Sequence, residues 1–258
     1  MEFSVPLKGN KKLKTVIDKI QNHGRLNGLW TIANVNAVDR LAINDHGPVH
    51  SKIVANSALR MFRLIEKSGV KSNLEIDHNL TKEDAEIVII LAAAFHDLGH
   101  AIHRVHHEEF GIGLADSLVT DLLDDIYNGH TMGIMEGEVL HACYAHGTEL
   151  ETLTLEAGVV KVADALDMEQ GRARIPFKEG ELTIHSVSAT AIEQVSVRRG
   201  SKKPVKIVIE MSNSAGIFQL DNLFKPKLEH SGIRKHIEVT VEVGEEDAEK
   251  KIIEDYQF

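Results

Sequence analysis

The stretch that decides the fold is Ile87-Val88-Ile89-Ile90-Leu91-Ala92-Ala93-Ala94-Phe95-His96-Asp97-Leu98-Gly99-His100. Thr81-Lys82-Glu83-Asp84 ahead of it has the pattern of a capping box, so a helix is expected to start there. From Ile87 to Phe95 no side of that helix is polar. A helix apolar all round is buried, which makes this the expected central helix of a bundle. The run is far shorter than the ~18 apolar residues needed to span a bilayer. It ends at His96-Asp97, with Gly99 as the expected stop. A carboxylate where a buried helix ends is costly unless it is paired or metal-bound, so chemistry is sought here.

Working outward, apolar residues at Val49, Ile53, Met61 and Ile65 predict a helix over 49–65, with Pro48 in its first turn and Asn44 or Asp45 as cap. Leu13, Val16, Ile17 and Ile20 have helical spacing, and a Gly/Asn-rich piece from Asn22 to Gly28 separates them from a short helical pattern around 29–41. Further helices are expected over about 107–127, 137–145 and 155–168, with 128–133 as a loop. After Gly171 the period changes to two. Candidate strands are 183–189, 193–198, 205–211 and 237–243, with a short helix around Ile217 to Phe224, interrupted near Pro226. The expected fold is therefore mainly α: a helical part over about 1–175, then a small α+β segment over about 180–258 with a mostly antiparallel sheet. The half-buried strands of that appendage leave a face to be covered, by the site or by a second copy of the chain.

Composition narrows the function. Ordinary globular usage, 43% hydrophobic and 26% charged, argues against a disordered or fibrous chain. The balance of 29 basic against 39 acidic residues argues against a general nucleic-acid binder, but leaves room for small phosphate esters, which need only a few local cations. The single cysteine, Cys143, excludes a disulfide scaffold and a four-cysteine zinc site; with no visible secretory signal, a cytoplasmic location is expected. The departure from average is histidine: 15 in all, eleven of them between His46 and His146. Histidine is the commonest metal ligand and a general acid or base near neutral pH.

Asp164 is a second anomaly, a carboxylate inside the apolar helical run Val159-Val160-Lys161-Val162-Ala163-Asp164-Ala165-Leu166. With His50 from the first long helix, the set His50, His96, Asp97 and Asp164 supplies two imidazoles and two carboxylates. That mixed donor set suits Mn, Fe, Ni, Co or Zn, and Ca less well. No G-x-S-x-G nucleophile elbow is present, and Cys143 sits in an expected helix interior.

The order His50 … His96-Asp97 within "AAAFHDLGH" … Asp164 within "VVKVADALDM", carried on helices, resembles the HD superfamily of metal-dependent phosphohydrolases over about residues 45–172. The resemblance implies a helical bundle around a divalent metal site of one or two ions (Mg being admitted as well), hydrolysing a small phosphorylated substrate, a nucleotide or similar metabolite, with metal-activated water. For a second ion it implies His107, from "HHEEFG", and a histidine of "VLHACYAH". His141 and His146 are five apart, about 140° around a helix, so both cannot face one metal unless the helix ends between them. His146 is preferred because Val139 and Cys143 share its face. Asp97 is implied as metal bridge or water-orienting residue, and His100 or Lys161 as leaving-group acid or phosphate neutraliser. His46, Arg104, His141 and Arg172 are the substrate-binding candidates. One departure stands out: several branches of the family place a phosphate-binding lysine after the doublet, where this chain has His100. Two other readings compete, a di-iron oxygenase of the same superfamily and a nucleotide-binding sensor without turnover.

Overall fold

A computed structural model describes residues 2–169, 188 and 190–243. The expected strand 183–189, Arg172 and the Glu-rich stretch after Gly244 lie outside the described residues, save Ser188.

Among the described residues eight α-helices form the first part: α1 (Lys11–Asn22), α2 (Gly24–Asn34), α3 (Pro48–Glu66), α4 (Asn73–His78), α5 (Lys82–Phe95), α6 (His107–Leu123), α7 (Gly129–Tyr144) and α8 (Leu155–Ala165). As its composition requires, α5 is the hub: every residue from Asp84 to Phe95 is buried. The other helices wrap it, each with an apolar stripe inward. In α1 that stripe is Leu13, Val16, Ile17 and Ile20. In α3 it runs from Val54 through Ala58 and Met61 to Ile65. Thr81 and Asp84 form the expected capping box of α5, and the Asp45 carboxylate accepts from the backbone of Gly47 and His50 at the start of α3.

Among the described residues the second part is a three-stranded sheet in the order β1 (Ile192–Arg199), β2 (Val205–Met211), β3 (Ile237–Val243). β1 and β2 form an antiparallel hairpin, while β2 and β3 run parallel. The parallel pair needs a crossover, supplied by short helical turns over 214–229 that end in α9 (Lys225–Glu229). The mainly α bundle with a small α+β segment is thus present, with one of its two strand pairings parallel.

Three local expectations differ. The short helix expected around 29–41 starts earlier, inside the Gly/Asn-rich piece from Asn22 to Gly28, because α2 begins at Gly24. Residues 129–133 are the first turn of α7. In both places glycine weakens helix propensity, but buried Leu26 and Trp30, and Met135 and Val139, gain more from packing than the glycines cost. The short α4 was not expected; a capping box between Ser72 and Glu75 starts it.

Candidate metal centre

Each candidate side chain reaches the site by a local cause. His96 and Asp97 follow α5 directly, so the hub's C-terminus delivers them to the middle of the bundle. His50 stands on the first turn of α3 and Asp164 on the last turn of α8. His107 opens α6 and His146 follows the end of α7, so all four surrounding helices point an end at the doublet.

Asp97 divides the cluster in two. Its Oδ2 lies 3.2 Å from His50 Nε2 and 3.4 Å from His96 Nε2, and accepts from His46 Nδ1 at 2.7 Å. Its Oδ1 lies 3.5 Å from His107 Nε2, 3.6 Å from His100 Nε2 and 3.8 Å from His146 Nε2. Asp164 Oδ1 completes the first group, 3.2 Å from His50 Nε2 and 3.7 Å from His96 Nε2.

The donor chemistry fits cations. His96 Nδ1 donates to the carbonyl of Ala93 at 3.1 Å, and His50 Nδ1 donates to Asp167 Oδ2 at 2.6 Å. A carbonyl or carboxylate oxygen only accepts, so in the neutral rings both Nε2 atoms carry lone pairs. Yet they face each other at 3.1 Å. The second group repeats the pattern. His107 Nδ1 donates to the Arg104 carbonyl at 3.0 Å, His146 Nδ1 to the Cys143 carbonyl at 2.5 Å, and their Nε2 atoms stand 3.3 Å apart. Two lone pairs at that distance need a positive charge between them. Nδ1 held by an oxygen with Nε2 turned inward is the usual outer support of a metal-bound histidine. His50, His96 and Asp164 could hold one ion, and Asp97, His100 and His107, or His107, Glu108 and His146, another.

Without a metal ion, a proton serves instead at the His50–His96 pair. Burial disfavours charge on His96, but the Asp97 and Asp164 carboxylates outweigh it and hold the ring at about 9. His50 is likewise raised, against its burial, by Asp164, Asp167 and Asp97. Both Asp97 and Asp164 lie well below the usual carboxylate range, because nearby cations overcome the cost of burial. Burial, against the pull of Asp97, pushes His100 down to about 3, and it lowers His146 as well.

Of the sequence candidates, His50, His96, Asp97, Asp164, His107 and His146 come together, joined by His46 and His100, whose rings stack at 4.3 Å. Arg104 is exposed at the rim, with Nη1 3.3 Å from His100 Nε2. Two candidates do not join the cluster. His141 lies outside the cluster, where its Nε2 accepts from the backbone of Leu153 at 3.1 Å. Because α7 ends at Tyr144, His146 escapes the helical phase of His141 and turns inward. Lys161, expected as a proton donor or phosphate neutraliser, is fully buried and donates to the carbonyls of Ala145, Gly147 and Leu150. It ties down the chain beyond α7 instead. His100, held neutral at about 3, is suited to accept or ligate rather than to protonate a leaving group.

Two residues were missed. Glu108 lies 3.1 Å from His107 Nδ1. Lys227, from α9 in the C-terminal segment, is buried and pairs its ammonium with Asp164 Oδ2, opposite the oxygen that faces His50. The signal was present: Leu220, Phe224 and Lys227 share a helical face, so a lysine stands on an apolar stripe just as Asp164 does.

A helical bundle that converges histidines and aspartates on one buried point defines a class of metal-centre protein. A model of the HD domain matches residues 49–169, which hold all six converging candidates. An uncharacterized protein of Methanocaldococcus jannaschii is 38% identical over 233 residues, covering 90% of both chains, so that likeness extends well beyond the HD segment. No solved structure was found to match. The chain belongs to the HD superfamily of metal-dependent phosphohydrolases. Among the described residues no helix is long and apolar enough to cross a membrane.

Proposed function

We propose that the protein hydrolyses a phosphate ester of a nucleotide or other small phosphorylated metabolite, using two divalent ions of the Mn, Fe, Ni, Co or Zn type. The observation that carries this is Asp97, with one carboxylate oxygen turned toward His50 and His96 and the other toward His107 and His146. Ions held by such donors lower the pKa of bound water and neutralise phosphoryl charge.

The chain's own residues do the rest. Asp97 sets the spacing of the two donor groups. Asp167 and the carbonyls of Ala93, Arg104 and Cys143 orient the imidazoles. His46 holds Asp97 Oδ2. Arg104, exposed beside His100, offers a guanidinium to the substrate phosphate. Lys227 supplies, from the C-terminal segment, the positive charge that a lysine after the doublet would supply elsewhere in the family. We therefore read the parts over about 1–175 and 180–258 as two domains that share one site. The single thiol, buried at Cys143, fits a cytoplasmic setting.

The test is a screen of nucleotides and simple phosphate esters with Mn, Co, Ni and Mg, run on wild type and Asp97→Ala. Metal-dependent phosphate release that Asp97→Ala abolishes is expected. Equal release by the variant would sink the reading. Bound iron with redox-dependent absorption and no phosphate release would favour the oxygenase, and tight nucleotide binding without turnover the sensor.

A further inference from the structure

The chain's charge is unevenly placed. It carries ten more acidic than basic residues, yet the groove between α3 and β1 is lined by five cations, Lys8, Arg60, Arg63, Lys67 and Arg198. Among the described residues only two carboxylates, Asp167 and Glu169, line it. Its volume is about 860 Å³, within the range of small-molecule sites. Lys8, Arg60 and Lys67 are exposed, and among the described residues no ion pair engages them. A second cavity of about 490 Å³ shares Leu64 and Lys67 with the first. It adds Arg199, Lys202 and Lys203 of the β1–β2 hairpin and, among the described residues, no acidic one.

Among the described residues, two polar groups in the groove wall lack partners. Arg63 is only 8% exposed; its Nε donates to Glu86 at 2.6 Å and its Nη1 to the Pro6 carbonyl at 2.5 Å. Its Nη2 is buried with no partner, and so is Ser196 Oγ. A buried donor left unmatched is costly, and a native fold rarely carries one without reason. Both want an acceptor oxygen. Ile53, Leu64 and Val197 add apolar surface beside the cations. None of the metal-centre histidines lines the groove, although Asp167, which holds His50, stands at one end.

We propose that this groove is a second ligand site, separate from the metal centre, for an organic polyphosphate of nucleoside triphosphate size. Arg60, Arg63, Lys67 and Arg198 take the phosphates, and the apolar wall takes the organic part. Charge-assisted contacts from guanidinium groups suit phosphate oxygens. This does not rest on the hydrolytic reading.

The test is calorimetric titration of the full chain with ATP and with inorganic tripolyphosphate, in EDTA so that no metal bridges the ligand to the histidine cluster. Three proteins are compared: wild type, His96→Ala, and Arg60→Ala/Lys67→Ala, whose exposed positions leave the core untouched. Expected are ATP binding in wild type, affinity within about twofold of it in His96→Ala, and at least about a tenfold loss in the double variant, the loss of two charge-assisted contacts. ATP should bind more tightly than tripolyphosphate. No binding to wild type, or equal binding by the double variant, overturns the site. Binding lost in His96→Ala assigns the ligand to the metal centre and overturns it too. Tripolyphosphate binding as tightly as ATP overturns the organic part of the proposal.

Discussion

Gly99 and His107 meet backbone to backbone: a Cβ on Gly99 would stand 1.9 Å from the His107 carbonyl oxygen and 2.8 Å from the Gly111 nitrogen. This contact seats the start of α6 against the turn after the doublet, and so sets His107 at 3.5 Å from Asp97 Oδ1. Gly111 matches it from the other side, where a Cβ would lie 3.4 Å from the Gly99 nitrogen. The glycine at position 99 is explained by the backbone of α6 that lies against it.

Gly99→Ala is therefore expected to push α6 away and spoil the His107 side of the centre before the His50 side. Elemental analysis should fall from about two ions per chain to about one, with a stability loss of about 1–3 kcal/mol from overpacking. Two ions retained at full occupancy would show that the contact does not position His107.

Lys227→Ala leaves Asp164 Oδ2 without its cation. Removing one partner of a buried pair costs about 3–5 kcal/mol, so the metal-free variant should melt well below wild type. Bound metal replaces the missing positive charge, so loading with Mn or Zn should close much of that gap. Inhibition by inorganic phosphate should weaken in the loaded variant. Thermal melts with and without metal, and a phosphate inhibition constant, check this.

Metal binding should depend steeply on pH. In the metal-free protein His96 is held at about 9 and His50 is also raised, so the pair holds a proton at neutral pH that an incoming ion must displace. The stability that protonated pair lends the metal-free fold is present below the rings' ordinary value and is lost as pH rises through the raised one. Metal affinity should climb with pH from 7 toward 9, by about tenfold per unit for each proton displaced. Titration calorimetry in two buffers of different ionisation enthalpy should register the released protons. A flat profile would mean that these histidines are not the ligands.

Lys161→Met should leave metal content unchanged, because the ammonium serves three carbonyls and not the cluster. Unsatisfied buried carbonyls cost about 1–3 kcal/mol each, so the melting temperature should fall. Burial pushes the Lys161 ammonium down to about 8, while the unfolded chain holds its proton to the ordinary 10.5. Between those values the unfolded state binds more protons, so this residue makes stability rise with pH there. The variant should lose that rise.

Much of this was legible in the residues themselves. The run from Ile87 to Phe95 could only be buried, and the polar doublet behind it could only sit at the centre of the fold. Period two over 205–211 and 237–243 marked β2 and β3 to the residue. These are local facts: what one helix or strand hides follows from its own side chains. Local reasoning failed where packing overrode it, at Gly24 and Gly129.

What only the tertiary structure decided are relations between distant segments. That His146 and not His141 joins the cluster depends on where α7 stops. That Lys161 is spent on carbonyls depends on how the chain beyond α7 folds back over α8. That Lys227 reaches Asp164 depends on the crossover from β2 to β3 laying α9 against α8. An ionised side chain in an apolar run announces that it needs a partner, because a bare buried charge is too costly. Which partner it finds is set by the geometry of packing, and a sequence read along its length does not contain that distance.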